Sequence, residues 1–314
     1  MIVSPGAKLN LGLYITGKRQ DGYHDLLTLF YPIPFSDSLE VIVSNTADQK
    51  AGTVKISDRW AGKMAPGDVA NSPLQPCPDL PLCYSSSGIP IKGDSQDNLC
   101  IKAYRLLKAD YPQLPAIQMH LHKNVPMGAG LGGGSADGAA ALKAFNELAG
   151  LQLSEKALLD YAARLGSDCP FFIKNTAQIA VGRGEILSEA PGGLESLLKG
   201  YTLVLICPGI HVPTAMAFNN IIPKQGPELE MFTRIFSKPP EFWPDTLTND
   251  FETPVFAQFE AIKAIKEGLY TLGAAYASMT GSGSSVFGLF ANGQIPTAAA
   301  LDKFKPYSVH SWPL

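Results

Sequence analysis

The sequence predicts an α+β protein of two domains, and three observations carry that expectation. Strand-like alternation and helical periodicity follow one another along the chain, as where Ile117 to Lys123 gives way to the Ala-rich run Ser135 to Ala149. The 314 residues suffice for two cores of ordinary size, with a break expected near 175–179 and domains therefore at 1–177 and 178–314. A glycine-rich turn, Pro126 to Ser135, joins one such strand to one such helix.

Taken in order, the first strand covers Leu9 to Ile15, with Leu9, Leu11, Leu13 and Ile15 on one face and Lys8, Asn10, Gly12 and Tyr14 on the other. A cation and an amide on the polar face are ordinary surface residues or the start of a site. Gly17 to His24 is a polar turn, after which Leu26 to Phe30 and Leu39 to Val43 read as strands. Residues 57–96 form an irregular, proline-rich insertion with room for a short hairpin. Asp97-Asn98 caps a helix running to about Asp110, and Ser154 caps another that Gly166 closes.

Ser167-Asp168-Cys169-Pro170 then leads into Phe171-Phe172-Ile173, read as an apolar strand, with Pro170 holding Cys169 extended and Asp168 at the junction. Such a carboxylate either caps local N–H groups or is turned into a cleft. Tyr201 to Cys207 is a strongly apolar strand, followed by a short helix near 215–219 that Thr214 can cap. Phe256, Phe259, Ile262, Ile265 and Leu269 recur at helical spacing. A second glycine and serine turn, Ala277 to Ser285, enters the strand Val286 to Phe290, and a helix at 297–304 and a strand at 307–310 close the chain.

Composition narrows the function. Apolar residues at 46% and charged ones at 17% fit a folded chain. The net charge of −3 supplies no basic field for nucleic acid or an anionic membrane, so neither is an expected partner. The N-terminus lacks a signal-type apolar core, and the five cysteines form neither a disulfide framework nor a CxxC pair. A reduced cytoplasm is the expected compartment, no side-chain metal ligand set is expected, and the expected assembly is a monomer or weak homodimer.

Strand, glycine turn and helix N-terminus together make an anion site, because glycines admit phosphate oxygens to the backbone and the first helical turn presents unpaired N–H groups. Gly128-x-Gly130-x-x-Gly133 formally meets the dinucleotide fingerprint, but its candidate acid, Glu147, falls inside the first helix. No Gly-Lys-Ser/Thr closes the loop as a P-loop would, and a ligand-free tight turn is the plain alternative.

Lys8-Leu9-Asn10-Leu11-Gly12-Leu13, Arg19 to His24, Pro126 to Asp137, Leu165 to Phe172 and Met279 to Phe287 together resemble the GHMP small-molecule kinases. The resemblance covers nearly the whole chain except the insertion at 57–96. It implies an N-terminal domain like the second domain of ribosomal protein S5, a ferredoxin-like C-terminal domain, and an active site between them. It assigns the phosphates of ATP to Pro126, Gly128, Gly130, Leu131, Gly132, Gly133, Gly134 and Ser135, and the base of the adenine pocket to Asp97 and Asn98. Asp21-Gly22-Tyr23-His24 points to a cytidylylated methylerythritol as the acceptor alcohol, phosphorylated on its 2-hydroxyl. Substrate contacts carried over are Asn10, Tyr23, His24, Thr214, Phe218 and Asp168.

In the implied chemistry Asp168 accepts the hydroxyl proton and Lys8 stabilises charge on the carboxylate and the transferring oxygens. Mg2+ bridges the β- and γ-phosphates with few protein ligands. Ser135 keeps its place in the motif, while Asp137 stands where several relatives differ. The competing readings are a GHMP kinase for another small alcohol and a non-catalytic nucleotide-binding protein of the same fold.

Overall fold

In the computed structural model, residues 1–44, 75–77, 80–219, 221, 223 and 226–314 are described. The elements of the first 175 residues are β1 (Ile2–Val3), β2 (Gly6–Lys18), β3 (His24–Ser36), β4 (Ser38–Val43), β5 (Gln75–Pro76), β6 (Leu82–Gly88), α1 (Leu99–Asp110), β7 (Ile117–Lys123), α2 (Gly133–Leu148), α3 (Glu155–Leu165) and α4 (Cys169–Lys174). Beyond them run β8 (Gln178–Gly182), β9 (Ile186–Glu189), α5 (Leu194–Leu198), β10 (Tyr201–Cys207), α6 (Thr214–Asn219), α7 (Leu229–Ile235), α8 (Glu252–Gln258), α9 (Glu260–Thr271), β11 (Tyr276–Met279), β12 (Val286–Ala291), α10 (Ala298–Leu301) and β13 (Ser308–Pro313). The class is α+β.

Two compact units emerge: Met1–Ala7, Phe35–Val125 and Gly133–Asn175 make the first, and Lys8–Pro34, Pro126–Gly132 and Thr176–Leu314 the second.

The first unit is built on a sheet of order β1-β4-β7-β6-β5, antiparallel except for the parallel pair β6·β7. Alternation decides its faces: Leu39 pairs with Leu121 and Val41 with Met119, all buried, while Glu40 pairs with His120 on the opposite face. Tyr104 of α1 meets Phe145 of α2 edge to face at 5.5 Å, and burying a ring of that size contributes about 1.5–3 kcal/mol. Asn98 caps α1 by accepting the N–H of Cys100 at 2.9 Å, and Ser154 caps α3 by accepting that of Ala157 at 3.3 Å, each contributing about 1 kcal/mol.

The second unit holds two antiparallel sheets, β2-β3-β8-β9 and β11-β12-β10-β13. Its core gathers Leu13 and Ile15 of β2, Val204 and Ile206 of β10, and Ile262, Ile265 and Leu269 of α9. The helical spacing of 256–269 is real but interrupted: Phe259 leaves helical geometry at φ −126° and ψ 76°, separating α8 from α9.

Two expectations are corrected. The run Cys169 to Lys174 is helix α4, not a strand, and Cys169 is helical, not extended. Pro170 sits in the first helical turn, where its missing N–H has no partner to lose, and an apolar run this short has no period that separates strand from helix. Within the expected irregular insertion the short hairpin is present, β5 pairing antiparallel with β6, but Leu82 to Gly88 continues as an ordered strand inside the sheet, with Leu82, Cys83 and Tyr84 buried. The rest of that expectation, at 57–74 and 78–79, lies outside the described residues.

Candidate active site

The glycine loop is shaped by close backbone approach. Gly130 has φ +78°, and a Cβ there would lie 1.9 Å from the carbonyl oxygen of Thr280, so no other residue fits. Around it, Lys8 N–H donates to Leu131 O at 2.9 Å, Ser285 N–H to Ala129 O at 3.2 Å, and the Thr280 hydroxyl to Gly130 O at 3.1 Å. Gly134 is the opposite case: a Cβ there would meet nothing within 4 Å, which leaves the first turn of α2 open to a ligand. Gly133 points inward, where a Cβ would be 2.9 Å from Val125 Cγ1.

Lys8 and Asn10 do share a face of β2, as the alternation requires, but that face is buried. The Lys8 ammonium donates to Asn10 Oδ1 at 2.6 Å and stands 4.6 Å from the centre of the Phe30 ring. Asn10 Nδ2 donates to Thr28 Oγ1 at 3.0 Å, the Thr28 hydroxyl donates to Gly12 O, and Asn10 N–H donates to Thr280 Oγ1 at 3.1 Å. Thr28 and Thr280 are the members that sequence reasoning missed. Both are fully buried hydroxyls, and the only signal was the small-residue turn, Ala277 to Ser285, that contains Thr280.

Asp168, in the first unit, occupies the N-cap position of α4 without capping it through its side chain. Its neighbour Cys169 hydrogen-bonds the Ser135 hydroxyl, and burial pushes that thiol up to about 12. The start of α4 is therefore tied to the start of α2, and Asp168 directly precedes the residue that touches Ser135 of the glycine motif. Asn98 is a helix cap that also donates to the Tyr84 hydroxyl at 3.0 Å, and Asp97 pairs with Lys102 at 2.8 Å.

The aromatic residues expected at the cytidine end fall into two separate groups within the second unit. His24 stacks on Phe218 at 5.1 Å and 25°, and Phe218 meets Phe251 edge on at 4.8 Å. Tyr23 is 56% exposed, and its ring faces the Arg183 guanidinium at 5.0 Å. Thr214 opens α6, which also carries Phe218. The ring stacked on Phe218 is thus that of His24, not Tyr23. Among the described residues no group of three or more His, Cys, Asp or Glu could hold a metal ion.

Comparison with known proteins bears on this arrangement. The GHMP kinases N terminal domain matches residues 98–175, and the GHMP kinases C terminal domain matches 241–302. The 4-diphosphocytidyl-2-C-methyl-D-erythritol kinase of Bacteroides fragilis is 44% identical over 290 residues, covering 92% of both chains, and that of Cytophaga hutchinsonii is 41% identical over the same shares. A crystal structure of 4-(cytidine 5'-diphospho)-2C-methyl-D-erythritol kinase superposes with a TM-score of 0.71 at 27% identity, over 99% of this chain and 97% of the other. With the fold, the motifs and the full-length likeness in agreement, the chain belongs to the GHMP kinase family.

Proposed function

We infer that this chain transfers the γ-phosphoryl group of ATP to the 2-hydroxyl of 4-(cytidine 5'-diphospho)-2-C-methyl-D-erythritol, giving the 2-phosphate and ADP, in isoprenoid precursor biosynthesis. The observation that carries the reading is identity of 35–44% with kinases named for that substrate, over 90% or more of this chain.

The residues present suit the chemistry. An alcohol is a weak nucleophile, so the reaction needs a proton acceptor and a positioned, charge-stabilised phosphoryl group. In this proposal the Asp168 carboxylate takes the proton as the hydroxyl oxygen bonds to the γ-phosphorus, and the bond from that phosphorus to the β-phosphate oxygen breaks to release ADP. Lys8, oriented by Asn10, stabilises the charge on the attacking and transferring oxygens. The open first turn of α2 at Gly134 and Ser135 receives phosphate oxygens, and Asp97 and Asn98 border the adenine. The Ser135 hydroxyl would help to hold a magnesium ion, which when bound would supply charge neutralisation at the phosphates. Tyr23, His24, Thr214 and Phe218 hold the cytidine end, with His24 already stacked on Phe218.

No helix among the described residues is long and apolar enough to cross a membrane. The proposed compartment is the cytoplasm, and the proposed state is a monomer or weak homodimer. The deciding experiment is ATP-dependent phosphorylation of the cytidylylated alcohol, with the new phosphate located by phosphorus NMR. Homoserine, mevalonate and galactose serve as competitors in the same assay. ATP consumption that is indifferent to the cytidylylated alcohol, or faster with a competitor, overturns the reading.

A further inference from the structure

A knot of buried charge lies at the foot of the glycine loop, and the chemistry above makes no use of it. Lys123, the last residue of β7, is about 1% exposed at its side chain, and its ammonium donates to Asp37 Oδ2 and, at 2.7 Å, to Asp137 Oδ2. Asp37 follows β3, and its Oδ1 accepts the N–H groups of Asn124 at 2.6 Å and Val125 at 2.8 Å. Asp137 belongs to the first turns of α2, and its Oδ1 is buried without a hydrogen-bond partner.

Stability alone is a poor reason for this arrangement. Two carboxylates and an ammonium lose their hydration on burial, and well-fitted apolar side chains often do as well or better. The strain is visible in the acid left over: burial raises Asp137 to about 7, with Lys123 opposing the rise and Asp37 adding to it. What the knot does achieve is positional. Asp37 holds the two residues that precede Pro126, Asp137 holds the helix that follows Gly132, and Lys123 joins the two. The ends already touch, since a Cβ on Gly133 would lie 2.9 Å from Val125 Cγ1 and 3.2 Å from Lys123 Nζ.

We propose that Lys123, Asp37 and Asp137 are positioning residues for the nucleotide, clamping both ends of the glycine loop so that the first N–H groups of α2 face the phosphates. This rests on the assignment of that loop to ATP. Phosphate recognition by backbone N–H groups depends on direction, so a small rotation of α2 against β7 weakens it without touching the acceptor alcohol.

Asp137→Ala is the informative variant, because it cuts the tie to α2 while leaving Lys123 balanced by Asp37. Its KM for ATP should rise about 10- to 100-fold, the scale of loss produced by displacements near 1 Å. Turnover and the KM for the alcohol should stay within about twofold, since the lost term is binding of one substrate. Asp137→Asn, whose side-chain oxygen can still accept from Lys123, should recover most of the ATP affinity. Asp37→Asn, measured in parallel, should show the same split, so the test survives if Asp137→Ala does not fold. A wild-type KM for ATP in any folded variant of the alanine or Asp37 type overturns the proposal, as does an equal change in both KM values. Gly134→Val separates the two layers: if it leaves ATP binding intact, the loop assignment itself fails, whereas if it abolishes binding and the clamp variants do not weaken it, only the clamp fails.

Discussion

Lys8 and Lys123 are both lysines buried to within a few per cent, yet their surroundings differ. Lys123 is enclosed by two carboxylates that are themselves buried, so its charge is neutralised inside the first unit. Two influences oppose one another at that ammonium: burial lowers its pKa, but Asp137 and Asp37 outweigh it and the net shift is upward. Lys8 donates to the amide oxygen of Asn10 and stands over the Phe30 ring, and Asn10 in turn donates to the Thr28 hydroxyl. The contrast teaches that burial alone does not assign a lysine its role. Removing Lys123 strands two acids, whereas removing Lys8 leaves an amide that still has Thr28 and Thr280 as partners.

The largest effect should therefore come from the chemistry of Lys8. Lys8→Met and Asp168→Asn should each lower kcat by about 10²–10⁴-fold while the protein melts near the wild-type temperature. The double variant should be little worse than the poorer single one if the two act on one hydroxyl. Multiplicative losses, or a Lys8→Met protein that fails to fold, would break the contrast from one side.

Lys123→Met tests it from the other. Leaving Asp37 and Asp137 buried without their cation should cost about 3–5 kcal/mol of stability, read as a shift in the urea unfolding midpoint. A variant as stable as the wild type would mean that the carboxylates relax into neutral, hydrogen-bonded forms.

A smaller effect concerns the cytidine end. Tyr23→Ala should raise the KM for the alcohol by an amount corresponding to about 1–3 kcal/mol of stacking, with less change in kcat. His24→Ala should do the same if the stack on Phe218 is the cytidine platform. Whichever variant gives the larger KM change identifies the ring that faces the base.

The smallest effect is a pH dependence. Asp137 has a native pKa raised from 3.8 to about 7, so the native state holds its proton more tightly than the unfolded chain. That contribution to stability is complete below about 4 and is lost as pH rises towards 7. Asp137→Asn, which does not titrate, should gain on the wild type between about pH 4 and about pH 7 in urea unfolding. Cys100 of α1 and Tyr84 of β6 also feel this carboxylate, but burial holds both neutral across that range. A constant difference between the two proteins would show that Asp137 stays ionised throughout.

The sequence by itself determined the class of the fold, the capped starts of α1 and α3, the alternation of β2 and the glycine motif, because each follows from local spacing, capping or backbone freedom. It also carried enough separated motif to reach the kinase family. Tertiary structure decided the rest. The helical state of Cys169 to Lys174 depends on how its apolar side chains are covered, which a six-residue run does not encode. Thr28, 18 positions from Asn10, and Thr280, 270 positions from it, became members of the Lys8 network only when the folded chain brought both to that amide. Asp37, Lys123 and Asp137 form one knot from chain positions separated by 86 and 14 residues, and no local pattern marks an ion pair formed at such distances in sequence. The polar face of β2 was legible as polar, but its burial was not, because the groups that cover Lys8 and satisfy Asn10 come from strands and turns elsewhere in the chain.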